Sequence, residues 1–346
     1  MHDRAGRTPG DRRGHRCGRG VRHGAPALTR TLGLVGTLVR DRFETDAGAV
    51  ECWGGLGYGI AAAAAARGDE WRIRPIVKVG DDLAEEARAH LSRVPHVDAR
   101  GVCVVPEPNN RVTLRYVDDA ERVERLTGGV PGWTIDELGP HLEECDALLV
   151  NFISGYEAGL HTCQTLRSDF DGPIHADLHS LFLGQESDGT RVPRPLADFE
   201  AWVGCFDSVQ LNDVEAGLAT DATRLDAGTA EAFATRVTLR GPDVCTVTLG
   251  SAGACWAARS SEQPSRWSMP RPDGARVDSG SVTIRSPRRG DPTGCGDVWG
   301  AAFFTRTLAG DPVPEAAEIA TRLAARNVEH RGAEGLYTVL AREVAL

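Results

Sequence analysis

The most informative segment of the chain is RRGDPTGCGDVWG at residues 288–300, where a glycine-rich polar turn runs directly into an apolar stretch. The apolar stretch continues to about residue 309 and predicts a helix. The first turn of a helix carries free backbone N–H groups and a partial positive charge, and glycines just before it let the backbone approach an anion closely. The segment therefore predicts an anion-binding pocket made by Gly294, Cys295 and Gly296.

Asp297 stands at the edge of this predicted pocket, in the first turn of the helix. A carboxylate beside an anion pocket is electrostatically unfavourable unless it has a task. The natural task is to take a proton from a hydroxyl group that then attacks a phosphoryl group. The alternative is that Asp297 only caps the helix and that the glycines only form a tight turn. On this segment alone the two interpretations are equally good.

From residue 31 onward, short apolar runs alternate with helical patterns. Continuous apolar strands that alternate with helices predict a mostly parallel sheet covered on both faces, which is a three-layer α/β/α architecture. We place this domain at residues 31–340. Strands are predicted at 31–36, 73–80, 146–154 and 244–250, and helices at 59–68, 81–94, 296–309 and 314–330.

Residues 101–126 break this rhythm because they predict strands joined by turns. In the run RVTLRYV, the apolar residues point to one side, whereas Arg111 and Arg115 point to the other. The pattern predicts a small antiparallel β flap beside the main sheet, completed by the stretch at 43–53. Arg115 is expected to be solvated. Arg111 follows a turn directly, and it stays open whether it contacts an anionic substrate or pairs with nearby carboxylates.

The composition excludes some classes of partner. The 346 residues are 41% hydrophobic and 25% charged, which is typical of a soluble globular protein, and no apolar run is long enough to span a membrane. The net charge is −10, but residues 1–30 hold eight arginines and two aspartates, a local +6 that leaves −16 for the rest. This basic head has few large apolar residues and is expected to be a disordered tail. The acidic remainder argues against nucleic acid as a partner.

The cysteine and lysine usage narrows the chemistry further. The nine cysteines include no C-x-x-C pair, which disfavours a zinc site and a disulfide framework. Reduced thiols in a cytoplasmic protein are the simpler interpretation. The only lysine is Lys78, and no G-x-x-x-x-G-K-[ST] loop occurs, so phosphate chemistry would have to work without a P-loop lysine.

Five motifs in sequence order resemble those of the PfkB/ribokinase family of carbohydrate and nucleoside kinases. The late family signature is D-T-x-G-A-G-D before a helix, and the early one is a G-G-x-x-x-N-x-A turn into an alanine-rich helix. The resemblance covers about residues 31–340 and implies a ribokinase-like fold with a small β lid. The matching segments are GGLGYGIAAAAAARG (54–68), VKVGDD (77–82), QLNDVEA (210–216), VTLGSAGACW (247–256) and DPTGCGD (291–297).

The resemblance implies an ATP-dependent enzyme that transfers the γ-phosphoryl group to a hydroxyl of a sugar or sugar-like small molecule. By position, Asp297 resembles the catalytic base, and Gly294, Cys295 and Gly296 resemble the anion hole. Asn212 and Glu215 resemble the pair that organises Mg²⁺ and the nucleotide phosphates, with Glu215 acting through water. The other positions implied on the nucleotide side are Thr248, Gly250, Gly253, Asp291 and Asn327.

The resemblance also implies an acceptor site under the lid, which excludes water as a competing acceptor of the phosphoryl group. A monovalent cation is implied as a further cofactor, a sugar or nucleoside as the partner, and a homodimer through the lid as the assembly. The acceptor-side positions are Asp41, Gly54, Gly55, Gly59, Arg111 and Asp177.

Two positions depart from the family pattern. Gly59 stands where the family has an asparagine that touches substrate hydroxyls, which puts the sugar specificity in question. Cys295 stands where the family has alanine. A thiol at a helix N-terminus can have a lowered pKa and be reactive, but a small side chain that fills a small site is the preferred interpretation.

Two other functions remain open at the sequence level. In HADLHS, the residues His175, Asp177 and His179 alternate, as the ligands of a metal-dependent hydrolase would on one face of a strand. The second alternative is a non-catalytic sugar or nucleotide sensor on the same fold. The presence of Asp297 argues against a sensor, because a sensor has no use for a catalytic base.

Overall fold

The computed structural model describes residues 29–45, 48–116, 122–260, 276–285 and 288–345. Residues 1–28 of the predicted basic tail and residues 117–121 of the predicted flap lie outside these ranges. The eight cysteines among the described residues are all free thiols, in agreement with the prediction of reduced cysteines. No helix in the described ranges combines the length and the apolar character that a membrane span requires.

A nine-stranded sheet forms the centre of the molecule. The first seven strands in the spatial order given below pair in parallel, and the last two add antiparallel hairpins at one edge. The predicted mostly parallel sheet is therefore confirmed. The order is β5 (Val102–Val105), β4 (Trp71–Gly80), β1 (Arg30–Gly36), β8 (Ala147–Asn151), β9 (Ile174–Asp177), β12 (Ser208–Asn212), β13 (Val244–Thr248), β14 (Ala254–Arg259) and β15 (Val277–Val282).

Helices cover both faces of this sheet, and a separate hydrophobic core lies on each face. The central strands read as continuous apolar runs because both of their faces are buried, as in β8, where all five residues are buried. The helices are α1 (Leu56–Ala66), α2 (Ala84–Leu91), α3 (Ile135–Leu142), α4 (Leu160–Asp169), α5 (Phe199–Val203), α6 (Asp213–Leu218), α7 (Ala227–Arg240), α8 (Cys295–Leu308), α9 (Val313–Asn327) and α10 (Leu336–Val344).

The alanine run of α1 explains how this helix and α8 approach each other closely. Residues 61–64 are alanines with at most 3% exposure, and they share one core with the apolar residues of α8. Small side chains let helix backbones pack at close range without leaving voids. The two glycine-rich turns that precede α1 and α8 are thereby brought side by side.

A second, four-stranded sheet lies beside the first. Two antiparallel hairpins join through a parallel pair between their inner strands. The strands in spatial order are β3 (Gly48–Gly55), β2 (Leu38–Thr45), β6 (Arg111–Tyr116) and β7 (Arg122–Thr127). We call this sheet the lid. As predicted for the run RVTLRYV, Val112 and Leu114 are buried on one face, whereas Arg115 is exposed on the other.

The lid boundaries differ from those predicted. Val102–Val105, expected in the flap, pairs in parallel with β4 and forms the edge of the large sheet. The reason is that this strand carries apolar side chains on both faces, with Val102 packing against one core and Cys103 against the other. A short hairpin of β10 (Leu183–Gln185) and β11 (Arg191–Pro193) completes the fold.

Candidate active site

The turn before α8 has the geometry of an anion pocket. The helix begins at Cys295, and its N-cap residue Gly294 has a φ of +78°, a left-handed conformation that favours glycine. A Cβ at Gly294 would also collide with the ring of Tyr58. Within the described residues no side chain caps this helix end. The N–H of Cys295 donates to the carbonyl oxygen of Pro292 at 3.1 Å, so the turn can offer an anion the N–H groups of Gly294 and Gly296.

Asp297 lies in the first turn of α8 and is partly exposed. Its Oδ1 accepts a hydrogen bond of 2.8 Å from Nδ2 of Asn151, the last residue of β8. Because Gly294 is the N-cap, Asp297 does not occupy the capping position. Its carboxylate instead reaches across to the carboxyl end of the central sheet.

Two amide side chains that the sequence analysis missed organise this edge. Asn151 is 1% exposed and Gln210, on β12, is 2% exposed. The Nε2 group of Gln210 donates to Oδ2 of Asp177 at 2.8 Å and to the carbonyl of Gly296 at 3.0 Å. A polar residue near the end of an otherwise apolar parallel strand is the signal that could have identified both, since ligands bind outside the carboxyl ends of such strands.

Negative charge is concentrated next to the anion pocket. Burial, and then repulsion from Glu215 and Asp297, raises the pKa of Asp177 to about 8. Burial acts to lower the pKa of His179, but the Glu215 carboxylate outweighs it and raises that pKa to about 9. His179 Nδ1 and Glu215 Oε1 lie 2.5 Å apart. At neutral pH the pair is therefore an imidazolium bound to a carboxylate.

Asn212 and Glu215 form the N-terminal capping box of α6, which directly follows β12. The Asn212 side chain accepts from the backbone N–H of Val214 and Glu215, and Glu215 Oε2 accepts from the Asn212 N–H at 2.8 Å. Mg²⁺ in phosphoryl-transfer sites is commonly held by one or two carboxylates together with phosphates and waters. A buried glutamate whose oxygens are already bonded fits such a cation through water.

The glycine pair before α1 lies against Asp41. Asp41 is on β2 and 3% exposed, and a Cβ at Gly54 would collide with its carboxylate. Gly55 has a φ of +56°, and a Cβ there would lie 2.6 Å from the carbonyl oxygen of Thr37. The glycine pair therefore lets β3 pack directly onto Asp41 before the chain turns into α1.

Tyr58 and Gly59 occupy the junction between the two glycine-rich turns. Tyr58 is 1% exposed, and its hydroxyl has no hydrogen-bond partner in the described part of the chain. Burial, and then the charge of Asp41, strongly raises its pKa. A Cβ at Gly59 would lie 3.8 Å from the carbonyl oxygen of Asp297 and would meet no clash. The position of the family asparagine thus faces the start of α8.

The residues predicted for the nucleotide side continue along the same carboxyl edge of the sheet, where Thr248 pairs with Asn212. Thr248 ends β13, and Gly250 and Gly253 form a short turn with φ values of +55° and +108°. A Cβ at Gly253 would collide with the carbonyl oxygen of Val282 at the end of β15. A cavity of about 390 Å³ continues from this strand end. It is lined by Ser281, Val282, Thr283, Ile284, Arg285, Arg288, Glu318, Thr321, Arg322, Ala325 and Glu343.

The C-terminal end of α9 is hydrogen-bonded to the anion-pocket turn. Asn327 is fully buried, and its Nδ2 donates to the carbonyl oxygen of Thr293 at 2.9 Å. The Sγ of Cys295 donates to the carbonyl oxygen of Ala324 at 3.4 Å, and burial raises its pKa to about 11. This favours the interpretation of Cys295 as a small space-filling residue over that of a reactive thiol.

Arg111 lies at the start of β6 and pairs with Asp82, a carboxylate from outside the lid, which settles neither of the two interpretations left open above. Its Nη2 lies 2.6 Å from Oδ2 of Asp82, and its Nη1 donates to the carbonyl oxygen of Asn109 at 3.2 Å. Asp82 belongs to the VKVGDD motif at the end of β4. The pair therefore ties the lid to the edge of the large sheet.

The residues of the hydrolase alternative do not converge. His175 is fully buried, its Nδ1 lies 2.8 Å from the Ser208 hydroxyl, and its ring stacks on Phe304. Burial lowers its pKa to about 3. His179 is bound to Glu215 instead. Within the described ranges, no three His, Cys, Asp or Glu side chains are arranged to hold a metal ion together.

Comparisons with known proteins identify the fold. No family model matches the chain, and no curated protein is significantly similar to it in sequence. Solved structures match over nearly the whole chain. A pyrophosphate-dependent kinase in the ribokinase family, in complex with sulfate, is 17% identical with a TM-score of 0.70 and covers 91% of this chain and 99% of its own.

Two further solved structures are similar to the chain over nearly its whole length. Arabidopsis thaliana ribokinase, complexed with ribose and ATP, is 16% identical with a TM-score of 0.66 and covers 92% of this chain and 100% of its own. A Burkholderia thailandensis nucleoside kinase, in complex with inosine, is 16% identical with a TM-score of 0.64 and covers 91% and 97%. The chain therefore has the ribokinase-like fold, and the proteins that it resembles in structure include kinases of the ribokinase family.

Proposed function

We propose that the protein is a kinase that transfers the γ-phosphoryl group of ATP to a hydroxyl of a sugar or sugar-like small molecule. The observation that carries this proposal is the position of Asp297. Its partly exposed carboxylate stands in the first turn of α8, in the same turn as Gly294 and Gly296, at a helix end that no side chain of the described residues caps. A base and an anion pocket within one helical turn are what in-line transfer from a phosphate to a hydroxyl requires.

In this mechanism Asp297 takes the proton of the acceptor hydroxyl as that oxygen attacks the γ-phosphorus atom. The bond from the γ-phosphorus to the bridging oxygen of ADP breaks, and ADP leaves with the electron pair. The N–H groups of Gly294 and Gly296 stabilise the charge on the transferring oxygens. Asn151 holds the Asp297 carboxylate in place through the 2.8 Å hydrogen bond to Oδ1.

The buried ionisable groups beside the pocket carry less negative charge than the number of carboxyl groups suggests, which suits a ligand with several negative charges. With a pKa of about 8, Asp177 is largely protonated at neutral pH, so that it adds little repulsion toward phosphates. Glu215, held by Asn212 and His179, would hold Mg²⁺ through water. When bound, Mg²⁺ neutralises charge that develops on the phosphate oxygens.

The cavity beside β15 supports a nucleotide as the donor. Its volume of about 390 Å³ lies within the range of roughly 300–1,000 Å³ that is common for small-molecule sites. One of its walls is α9, which contacts the first turns of α8 through the Trp299 Nε1 hydrogen bond to the Thr321 hydroxyl at 3.0 Å.

The acceptor is proposed to bind between Asp297 and Asp41, under the lid. A buried aspartate accepts hydrogen bonds from hydroxyl groups, and a polyol offers several. Gly54 and Gly55 let the backbone of β3 lie directly against Asp41. Gly59 has no side chain that could contact the acceptor. The choice among pentose, hexose, sugar acid and nucleoside therefore depends on other residues.

The test is phosphoryl transfer by the purified protein and by its Asp297→Asn variant. A thermal-shift screen of sugars, polyols and nucleosides with a Mg²⁺–ATP analogue selects the acceptors to assay. We expect the wild type to form ADP in an acceptor-dependent way with ATP and not with pyrophosphate. The variant should bind the ATP analogue with unchanged affinity and show no transfer.

Retained turnover in Asp297→Asn would remove the assigned base. Acceptor binding without any transfer by the wild type would instead favour the sensor alternative. Turnover with pyrophosphate in preference to ATP would keep the chemistry and overturn the proposed donor.

A further inference from the structure

Asp291 opens the anion-pocket turn and is held by a cation from another part of the chain. Its side chain is 7% exposed. Oδ1 accepts the backbone N–H of Thr293 at 3.0 Å, and Oδ2 accepts Nε of Arg331 at 3.0 Å. Arg331 lies in the segment between α9 and α10. A guanidinium that binds a mostly buried carboxylate is both a hydrogen-bond donor and a fixed positive charge.

This pairing bears on the monovalent cation that the family resemblance implies. A cation at the anion-pocket turn would need carboxylate or carbonyl oxygens with free lone pairs directed toward it. Asp291 is the carboxylate that begins this turn, and both of its oxygens already accept hydrogen bonds, one of them from a cationic group. The Arg331 guanidinium, whose Nε lies 3.0 Å from Oδ2, would repel a second cation in direct contact with this carboxylate, so the residues present at Asp291 do not fit an additional monovalent cation.

Arg331 also connects the turn to the lid. Its guanidinium carbon lies 5.2 Å from the ring centroid of Phe43, a buried residue of β2. This distance is within the range of a cation–π contact. The guanidinium thus touches the anion-pocket turn through Asp291 and the lid through Phe43.

The segment that carries Arg331 is itself attached to the lid strand β3. The backbone N–H of Ala333 donates to the carbonyl oxygen of Trp53 at 2.8 Å, and the Trp53 N–H donates to Oε1 of Glu334 at 2.8 Å. On its other side, the Asp291 N–H donates to the carbonyl oxygen of Val328 at 2.9 Å. Arg331 therefore lies in a segment that is hydrogen-bonded both to the lid strand β3 and to the start of the anion-pocket turn.

We infer that Arg331 is the built-in cation of the anion-pocket turn and takes the role that a diffusible monovalent cation would have there. The consequence for catalysis rests on the proposed function. The claim that Arg331 is the cation held by Asp291 does not. It makes Arg331 a positioning residue, since it acts on the phosphate-binding backbone through Asp291. Donor binding and the stability of the free protein should consequently not depend on K⁺ or Na⁺.

The experiment compares the wild type with Arg331→Gln and with Arg342→Gln, which removes an exposed arginine of α10 and serves as the matched control. All three are measured in KCl, NaCl and tetramethylammonium chloride at one ionic strength. The first readout is the melting temperature of the ligand-free proteins. The second is the Kd of Mg²⁺ and the β,γ-imido analogue of ATP by calorimetry.

We expect the wild type and Arg342→Gln to give the same melting temperature and the same Kd in all three salts. Arg331→Gln should melt at a higher temperature in KCl than in tetramethylammonium chloride, by about 2 °C. Its Kd should be weakened about tenfold in tetramethylammonium chloride and partly restored by KCl, a coupling in the usual range between adjacent sites.

A wild type that K⁺ stabilises and that binds the analogue about tenfold more tightly in KCl would overturn the inference. So would an Arg331→Gln variant that behaves as the wild type in every salt. If the analogue binds to none of the proteins, the proposed donor is wrong, and the melting temperatures in the three salts still decide the role of Arg331.

Discussion

The Nδ2 atom of Asn151 lies 2.8 Å from Oδ1 of Asp297, and this bond joins the carboxyl end of β8 to the first turn of α8. The two residues are 146 positions apart in the chain. The hydrogen bond from this amide fixes the orientation of the Asp297 carboxylate. The relationship makes Asn151 a positioning residue for the proposed base.

Replacing Asn151 with Ala should lower kcat/KM for phosphoryl transfer by about ten- to hundredfold, because a misplaced base loses part of its contribution. The Kd of the ATP analogue should change little, since Asn151 contacts the base and not the turn. Steady-state kinetics and calorimetry separate the two effects. Equal kcat/KM values for Asn151→Ala and the wild type would show that Asp297 does not need this bond.

Replacing Tyr58 with Phe should leave the protein as stable as the wild type or more stable by about 1 kcal/mol, because a buried hydroxyl without a partner is removed. Replacing it with Ala should cost about 3–5 kcal/mol, because the ring fills the space beside Gly294. Urea denaturation measures both changes. A Phe variant that loses more than about 1 kcal/mol would mean that the hydroxyl is bonded in the native state.

Replacing Gly54 with Ala should destabilise the protein by about 1–3 kcal/mol and weaken acceptor binding, because the new methyl group displaces the Asp41 carboxylate. The matched control is Gly139→Ala in α3, where a Cβ meets nothing within 4 Å. That change should raise the unfolding free energy by up to about 1 kcal/mol, because alanine is the better helix former. Similar effects of the two substitutions would contradict the close approach of β3 to Asp41.

The buried ionisable groups beside the pocket predict how stability changes with pH. The pKa of His179 is raised from 6.5 to about 9 and that of Asp177 from 3.8 to about 8. In both cases the folded state holds the proton more strongly than the unfolded chain. The stabilisation that the His179 proton gives the folded state is fully present below pH 6.5 and is lost as the pH rises through 9. The stabilisation that the Asp177 proton gives is lost as the pH rises from about 4 to about 8.

The melting temperature should therefore fall as the pH is raised from about 6.5 to 9. His179→Gln should reduce this slope, whereas His161→Gln, at an exposed position of α4, should not. Thermal melts in a buffer series test this. A slope that is unchanged in His179→Gln would show that the imidazolium–carboxylate pair does not form.

The sequence and the structure agree where a local pattern carries the information. Glycines before α8, the apolar runs of the parallel strands and the alternation in β6 each depend on neighbouring residues, and local conformation follows from them. The strand at Val102–Val105 was placed in the wrong sheet, because a short strand with apolar residues on both faces suits a sheet edge as well as a flap.

The candidate site was predictable in part. Asp297 and the turn at 294–296 were identified from one segment, because the same helix start supplies the donors and the carboxylate. Asn151 and Gln210 were not, because an amide in an apolar strand becomes informative only when the strand end that carries it is known to face the site. Arg331 was missed for a similar reason, since its partner Asp291 lies 40 residues earlier.

By itself, the sequence indicated most of the strands and helices and singled out the turn at 294–296 as a candidate anion pocket, since these predictions depend on side chains within a few positions of one another. Only the tertiary structure decided the partners of the charged and amide groups. Asn151 with Asp297, His179 with Glu215 and Arg331 with Asp291 meet because the packing of a nine-stranded sheet brings distant strand and helix ends to one edge. Burial at that edge then shifts their pKa values, and burial is a property of the folded chain alone.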